Sequence, residues 1–309
     1  MSHEIVNVEA VADPVGSDCC GVPVADPATN GLRLSLVSDV AVPRTDTLSA
    51  STAYFVPFES NTISLYDGGA WVARTMSATA ELETTSVANT SYDVYAYWSG
   101  TDVLLEMEAT PVTPTLELQD GVQVKSGAAS HRYVGVLVTN ASGVFEDSQK
   151  NRLVWNRNNQ VPRAVNGVDL TSWYYTGNQS TWREVRANAA SRVRVAAGIL
   201  DGSAGVAGAY ASVQAVEMCL VSSGTNGAFV ATGIGVDSTT SNSAQTVELA
   251  SATTSVYAHA FASYEGYLAP GIHTLHWLEI GQTGTTFYCI GSSSSPPFGR
   301  LGLSGTVVM

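Results

Sequence analysis

The chain is written almost throughout in period-two alternation, apolar then polar, broken at short intervals by Asp-Gly and Asn-Gly dipeptides. No other feature constrains its fold as strongly. Side chains two apart share one face of a strand, so each run describes a ribbon with one covered face. Asx-Gly pairs supply the positive-φ residues that tight hairpins need. They stand at Asn30–Gly31, Asp67–Gly68, Asp120–Gly121, Asn166–Gly167, Asp201–Gly202 and Asn226–Gly227. Between them the alternation predicts strands over Gly31–Ser38, Thr62–Leu65, Ser91–Trp98, Val103–Met107, Tyr133–Thr139 and Val193–Leu200. It predicts further strands over Tyr210–Leu220, Phe229–Val236, Ser255–Ser263, Gly271–Glu279 and Thr285–Ile290. Helical periodicity is almost missing. The best candidate is one short segment over Asp147–Leu153, where Asp147 or Ser148 would cap a turn.

The expected fold is therefore all-β: two β-sandwich or jelly-roll-like modules behind an extended N-terminal arm. Residues 1–30 hold Pro14, Pro23 and Pro27 with little periodicity and read as the arm. An arm of this kind orders only when something holds it, and a neighbouring subunit is the natural candidate. The first module is placed at residues 31–164 and the second at 165–309, with the junction at the Val161–Pro162 break and the Asn166–Gly167 turn. A Ser/Pro loop at Ser292–Pro297 precedes a closing Gly-rich strand. The apolar Val307–Met309 fits better inside a sheet or at an interface than at a free surface.

Composition bears on what such a fold would meet. Only 13% of the 309 residues are charged, and Lys125 and Lys150 are the only lysines. An ordinary domain carries about twice that charge. Lysine loses much rotamer entropy when packed, so its scarcity suits faces that meet other protein; a Ser/Thr-rich extracellular surface is the alternative. The net charge of −13 argues against nucleic-acid binding, which needs phosphate neutralisation. The middle of the chain is nonetheless basic. Arg132, Lys150, Arg152, Arg157, Arg163, Arg183, Arg186, Arg192 and Arg194 face only Glu146, Asp147, Asp169 and Glu184 between His131 and Leu200. Such charge either steers a partner or forms local salt bridges. No secretory signal opens the sequence and no apolar run of about 18 residues occurs, so assembly in a cytoplasm without membrane insertion is expected.

No catalytic grouping stands out. Glu81/Glu83 and Glu106/Glu108 each sit two apart on one strand face, where like charges are comfortably solvated; a glycosidase would need two carboxylates flanking a bond. His273 and His276 fall on opposite strand faces, which disfavours a shared metal. No nucleophile-elbow, zinc-protease, phosphate-loop or dinucleotide motif is present, and nothing implies a cofactor. Cys19, Cys20, Cys219 and Cys289 are too few and too oddly spaced for a disulfide scaffold, no CxxC occurs so zinc is not indicated, and the adjacent Cys19 and Cys20 read as arm thiols able to reach other chains. Aromatic clusters at Tyr92–Trp98 and at Trp173, Tyr174, Tyr175 and Trp182 suit either core packing or sugar stacking, and the latter group are the candidate glycan contacts. The dense polar run Arg152, Trp155, Asn156, Arg157 and Arg163 has no acid, nucleophile or metal set beside it. It reads as a fastening between modules or subunits.

Several motifs recur together in one order. GLRLSLVSDVAVPRTDTLSASTAYFVPFESNTISLYDGGAW gives a strand, a Pro-containing turn, a Tyr-x-x-Pro strand and a Tyr-Asp-Gly turn. NTSYDVYAYWSGTDVLLEM, QDGVQVKSG, HRYVGVL and EDSQKNRLVWNRNNQVPR follow. Over about residues 31–164 this pattern resembles the β-rich virion structural proteins of tailed bacteriophages, of the head-fibre, tail-fibre or capsid-decoration type. Beyond residue 164 only SWYYTGNQSTWREV is familiar. The resemblance implies a non-enzymatic fibre, spike or decoration protein on the virion, assembled in the host cytoplasm and most simply a homotrimer. The arm with Cys19 and Cys20 would attach it to other virion proteins, and residues 165–309 would form an outward knob. A receptor-binding role toward host surface glycan is the alternative, followed by a polysaccharide depolymerase.

Overall fold

Ser91–Trp98 and Ala128–Val138 lie side by side as antiparallel partners, and the rest of the molecule is arranged on their two faces. The computed structural model describes residues 25–110, 116–178, 180–200, 208–291 and 301–309. These residues are all-β, with two single-turn 3-10 segments at Val185–Ala187 and Ala189–Ser191. Arg132 through Val138 are buried without interruption, because the strand has protein on both sides. Val134 and Leu137 face one core, while Tyr133, Val136 and Val138 face a second. A register shift between Tyr133 and Gly135 makes this uneven alternation possible.

The first core is closed by a three-stranded sheet, Leu32–Ser35, Thr52–Pro57 and Ala80–Glu83, and by the hairpin Thr62–Tyr66/Trp71–Thr75. Leu34, Phe55, Ile63 and Leu65 are its fully buried centre. Asp67–Gly68 and Asp120–Gly121 turn hairpins as expected, with positive φ at both residues of the second pair.

The second core lies inside one strongly bent sheet. Its order runs Pro162–Gly167, Gly302–Val308, Ala209–Ser223, Ala258–Leu268, Thr246–Ala252, Ala228–Val236, Gly271–Gly281, Arg192–Ala197. The sheet then continues into Asn151–Arg152, Phe145–Asp147 and Thr47–Ala50. Hydrogen bonding therefore crosses residue 164, and Asn151–Arg152 pairs in parallel with Arg194–Val195. Gly302–Val308 is flanked on both sides, and Met309 is fully buried. Of the arm, residues 25–30 lie on the first module, where Ala25 N–H donates to the Trp71 carbonyl. Cys19, Cys20 and the Ser292–Pro297 loop fall outside the described residues.

Three local expectations are overturned. Asp147–Leu153 is not helical: Ser148 and Asn151 exchange backbone hydrogen bonds of 2.9 and 3.1 Å in a turn between two strands. Arg152 is there held by pairing to Val195, a tertiary contact that overrides the local capping signal. Asn166–Gly167 is no turn but the end of a strand, and its glycine serves close approach, since a Cβ would sit 3.0 Å from the Arg192 carbonyl oxygen. Asn30–Gly31 likewise lies in extended pairing, with Asn30 bridged to Ile63.

The Arg- and Asn-rich segment spends its polar groups as ties. Asn156 accepts from Leu34 N–H at 2.6 Å and donates back to the Leu34 carbonyl. Arg152 and Arg163 both grip Asp147, at 3.1 and 2.7 Å, and Arg152 also donates to the Ala164 carbonyl. Arg157 donates to Gln123. Arg33 reaches the Met309 carbonyl oxygen at 3.0 Å, and Arg132 donates to the carbonyls of Pro27, Ala28, Thr29 and Ser64. Burial pulls both Arg33 and Arg132 down to about 10, with nearby arginines adding to the effect.

Trp155 marks where the cores meet. Its indole N–H donates to the Gly208 carbonyl and its ring lies against Tyr133 and Gly198. A Cβ on Gly198 would stand 2.3 Å from the Trp155 ring, which is fully buried and has nowhere to move. Gly198→Ala should therefore destabilise the protein by about 1–3 kcal/mol through overpacking. Chemical denaturation would measure this, and Trp155→Leu should relieve part of it in the double variant. Additive losses would refute the contact.

Asp93 also lies at this junction, where a cavity of about 250 Å³ is lined by Asp93, Tyr133, Val136, Gly198, Ile199 and Pro270. Burial raises its pKa to about 6, with the opposing Glu108 adding and a Thr110 hydrogen bond subtracting. An unfolded Asp titrates near ~3.9. Between these values the native chain binds the extra proton, so stability falls as pH rises from about 4 to about 6. The loss should reach about 3 kcal/mol. Asp93→Asn should remove this slope and be the more stable protein at neutral pH. Urea midpoints at several pH values check it, and parallel curves for the two proteins would count against the assignment.

Candidate functional site

The run Trp173–Thr176 alternates strictly, and that decides which aromatics can touch a ligand. Trp173 and Tyr175 turn inward, Trp173 edge-on to Trp277 at 5.5 Å and Tyr175 stacked on Phe287 at 5.2 Å. Tyr174 turns outward, 65% exposed, with Tyr288 beside it at 4.8 Å. Trp182 is half-buried over Gly233. Of the four candidate glycan contacts, Tyr174 is thus the one that presents a free face.

Tyr174 stands at the rim of a cleft of about 510 Å³, lined also by Trp173, Arg183, Glu184, Arg186 and Thr240. Each charged group in it is fixed by a partner. Arg192 grips Glu184 through two nitrogens at 2.5 and 2.7 Å, and His276 Nδ1 lies 2.7 Å from the same carboxylate. Burial would raise the Glu184 pKa, but the hydrogen bonds from Arg192 and His276 outweigh it and hold the group below the usual range. Arg186 meets both Asp169 oxygens at 2.8 Å. Arg186 and Ala187 have φ of 54° and 47°, a left-handed pair of non-glycine residues whose strain is held in place at the rim. Arg183 lies over the Tyr175 ring at 4.5 Å and pairs with Glu279 at 2.7 Å.

Beneath Trp173 and Arg183 lies a polar layer that the fold does not otherwise need. The inward face of Ala209–Ser223 reads Ala215, Glu217, Cys219, Val221, so a carboxylate stands in an apolar row. Cys219 is directly opposite Cys289 of strand Thr286–Cys289, and the two form a disulfide across 70 residues of sequence. Cys219 Sγ lies 3.3 Å from Glu217 Oε1. Glu279 comes from the facing layer, where its Oε2 accepts the Trp173 indole N–H at 2.9 Å. Glu217 and Glu279 are both fully buried. Burial and the Glu279 charge push Glu217 well above the carboxylate range, and burial pushes Glu279 up against the pull of Arg183. Two carboxylates so placed hold a proton between them.

The other sequence candidates lie elsewhere. Glu106 and Glu108 are bound by Lys125 at 2.6 and 3.2 Å, a surface ion cluster joined by His131. His273 pairs with Asp237 and His276 with Glu184, so the two histidines share no partner. Arg152, Trp155 and Arg163 span the module junction, Arg163 through strand pairing with Val307, whereas Asn156 and Arg157 tie the first module internally. The spacing of the cysteines gave no hint of the 219–289 bond; the one available signal was Glu217 itself, a lone acid in the apolar run Val213–Val221.

Among the described residues, no helix is long and apolar enough to cross a membrane. No protein-family model matches the chain, and no curated protein matches it. A solved structure of infectious bursal disease virus, Gx strain, aligns with 92% of this chain and 72% of its own at 10% identity, with a TM-score of 0.13. A likeness of that size carries no argument about fold or role.

Proposed function

We propose that this chain is a non-enzymatic structural component of a tailed-phage particle, a fibre, spike or decoration protein that works as a homotrimer. The arm would attach it to other virion proteins and the second module would face outward. The observation that carries this reading is the use of polar side chains as ties: Arg33, Arg132, Arg152, Asn156 and Arg163 are spent on backbone carbonyls and on Asp147. Such a segment resists deformation and leaves no reactive group free. The motif order over residues 31–164 supports the same reading. Leu249, Val256 and Tyr267 are more than half exposed on the second module, surface that a subunit contact would cover.

The full chain should run at three times its monomer mass of 32.3 kDa by light scattering after gel filtration. Gradient-purified particles of the encoding virus should contain it at fixed stoichiometry. A monomer at all concentrations would defeat the trimer, and absence from the particles would defeat the structural role.

Recognition of host glycan is the second reading, favoured by the exposed Tyr174 ring over an Arg- and Thr-lined cleft. The full chain is the right probe, because the second core borrows Tyr133, Val136 and Trp155 from before residue 164. On a glycan array it should bind, and Tyr174→Ala should weaken binding about tenfold, the loss of one stacking contact of about 1.4 kcal/mol. An array without signal would end this reading.

A further inference from the structure

We infer that Cys219, Cys289 and Glu217 form a zinc-binding site when the disulfide is reduced. Glu217 O, Cys219 Sγ and Cys289 Sγ all lie within 4.8 Å of one another, and all three residues are fully buried. Adjacent strands fix this arrangement: Glu217 and Cys219 are two apart on one inward face, and Cys289 is the cross-strand partner of Cys219. Glu217 is a fully buried carboxylate in an otherwise apolar row, and the proton it shares with Glu279 is one a cation can displace. An apolar core gains nothing from that carboxylate beside two sulfurs. A soft cation gains a ligand set of two thiolates and a carboxylate, which suits zinc. Glu279 closes the facing side with its own oxygens engaged by Trp173 and Arg183, and those two residues also line the surface cleft above, the route of entry.

The chemistry balances with a dithiol reductant. Two electrons and two protons pass from the dithiol to the disulfide, giving two thiols and the oxidised reductant. Binding of Zn²⁺ then releases both thiol protons and the Glu217 carboxyl proton to water. A reducing compartment favours the metal form and an oxidising one the disulfide, so one pair of cysteines closes the core in both.

The test uses the full chain with Cys19→Ser and Cys20→Ser, so that the remaining thiols are Cys219 and Cys289. After reduction by a dithiol and its removal under argon, the protein is titrated with Co²⁺ alone. One cobalt per chain is expected, with thiolate-to-cobalt charge-transfer absorption that Zn²⁺ abolishes. Glu217→Gln, which keeps both thiols, should bind at least tenfold more weakly, and thiol titration should still count two. Two free thiols without a cobalt–thiolate band would overturn the site. So would a Glu217→Gln protein that binds as tightly as the parent, or a reduced chain that loses its β circular dichroism and does not regain it with Zn²⁺.

Discussion

Burial of Arg132–Val138 on both faces of its strand is the constraint on which the rest of the molecule depends. A strand in a sheet with one wet face alternates; this one cannot, because each face belongs to a different core. Its neighbours must therefore supply two apolar surfaces rather than one. Val94 and Ala96 serve the first core, while Tyr95 serves the second. Trp155 follows from the same geometry. It fills the space where the second face of this wall meets Gly198, and only a residue without a side chain fits opposite it.

Sharing a wall removes the freedom that two linked modules would have. The bent sheet carries Thr47–Ala50, Phe145–Asp147 and Asn151–Arg152 at one end, so moving one module would break ladder hydrogen bonds as well as the Trp155 contact. The polar cost of closing such a structure falls on arginine. Five-donor guanidinium groups can satisfy several carbonyls at once, as Arg132 does, and this suits places where backbone segments converge without forming a ladder. The scarcity of lysine is consistent with that use, since an ammonium group lacks the planar fork.

Strand extents were legible even where both faces are covered. Ser91–Trp98 matches its alternation to the residue, and Phe229–Val236 lacks one position. What could not be read was pairing across long separations. Asp147–Leu153 carries capping residues and so resembles a turn of helix, yet its partner Arg194–Val195 lies more than 40 residues on and overrules them. Asn166–Gly167 has the composition of a hairpin but the task of letting Arg192 pass close by. The candidate aromatics were visible as a cluster, and the alternation of Trp173–Thr176 sorts them into core and rim. The charged lining was not visible as a site: Arg183, Glu184 and Arg186 appeared only as part of a basic middle, because His276 and Glu279 come from a strand about 90 residues on and Asp169 from a loop outside the Arg183–Arg186 run.

The cleft and the layer beneath it are mechanically one object. Trp173 and Arg183 line the cleft with one side and bind Glu279 with the other, and Glu279 faces Glu217 and the cysteine pair. A change in charge at the buried layer therefore acts on the cleft through two contacts, an indole hydrogen bond and an ion pair, rather than through a long path. Reduction of the disulfide alone leaves the strands paired, since the Cys219–Cys289 ladder continues through Leu220 and Tyr288 to Val221 and Phe287. The sheet can thus change its internal chemistry without changing its topology. That separation lets a rigid shell hold a buried group of alterable charge directly under the cleft lined by Trp173 and Arg183.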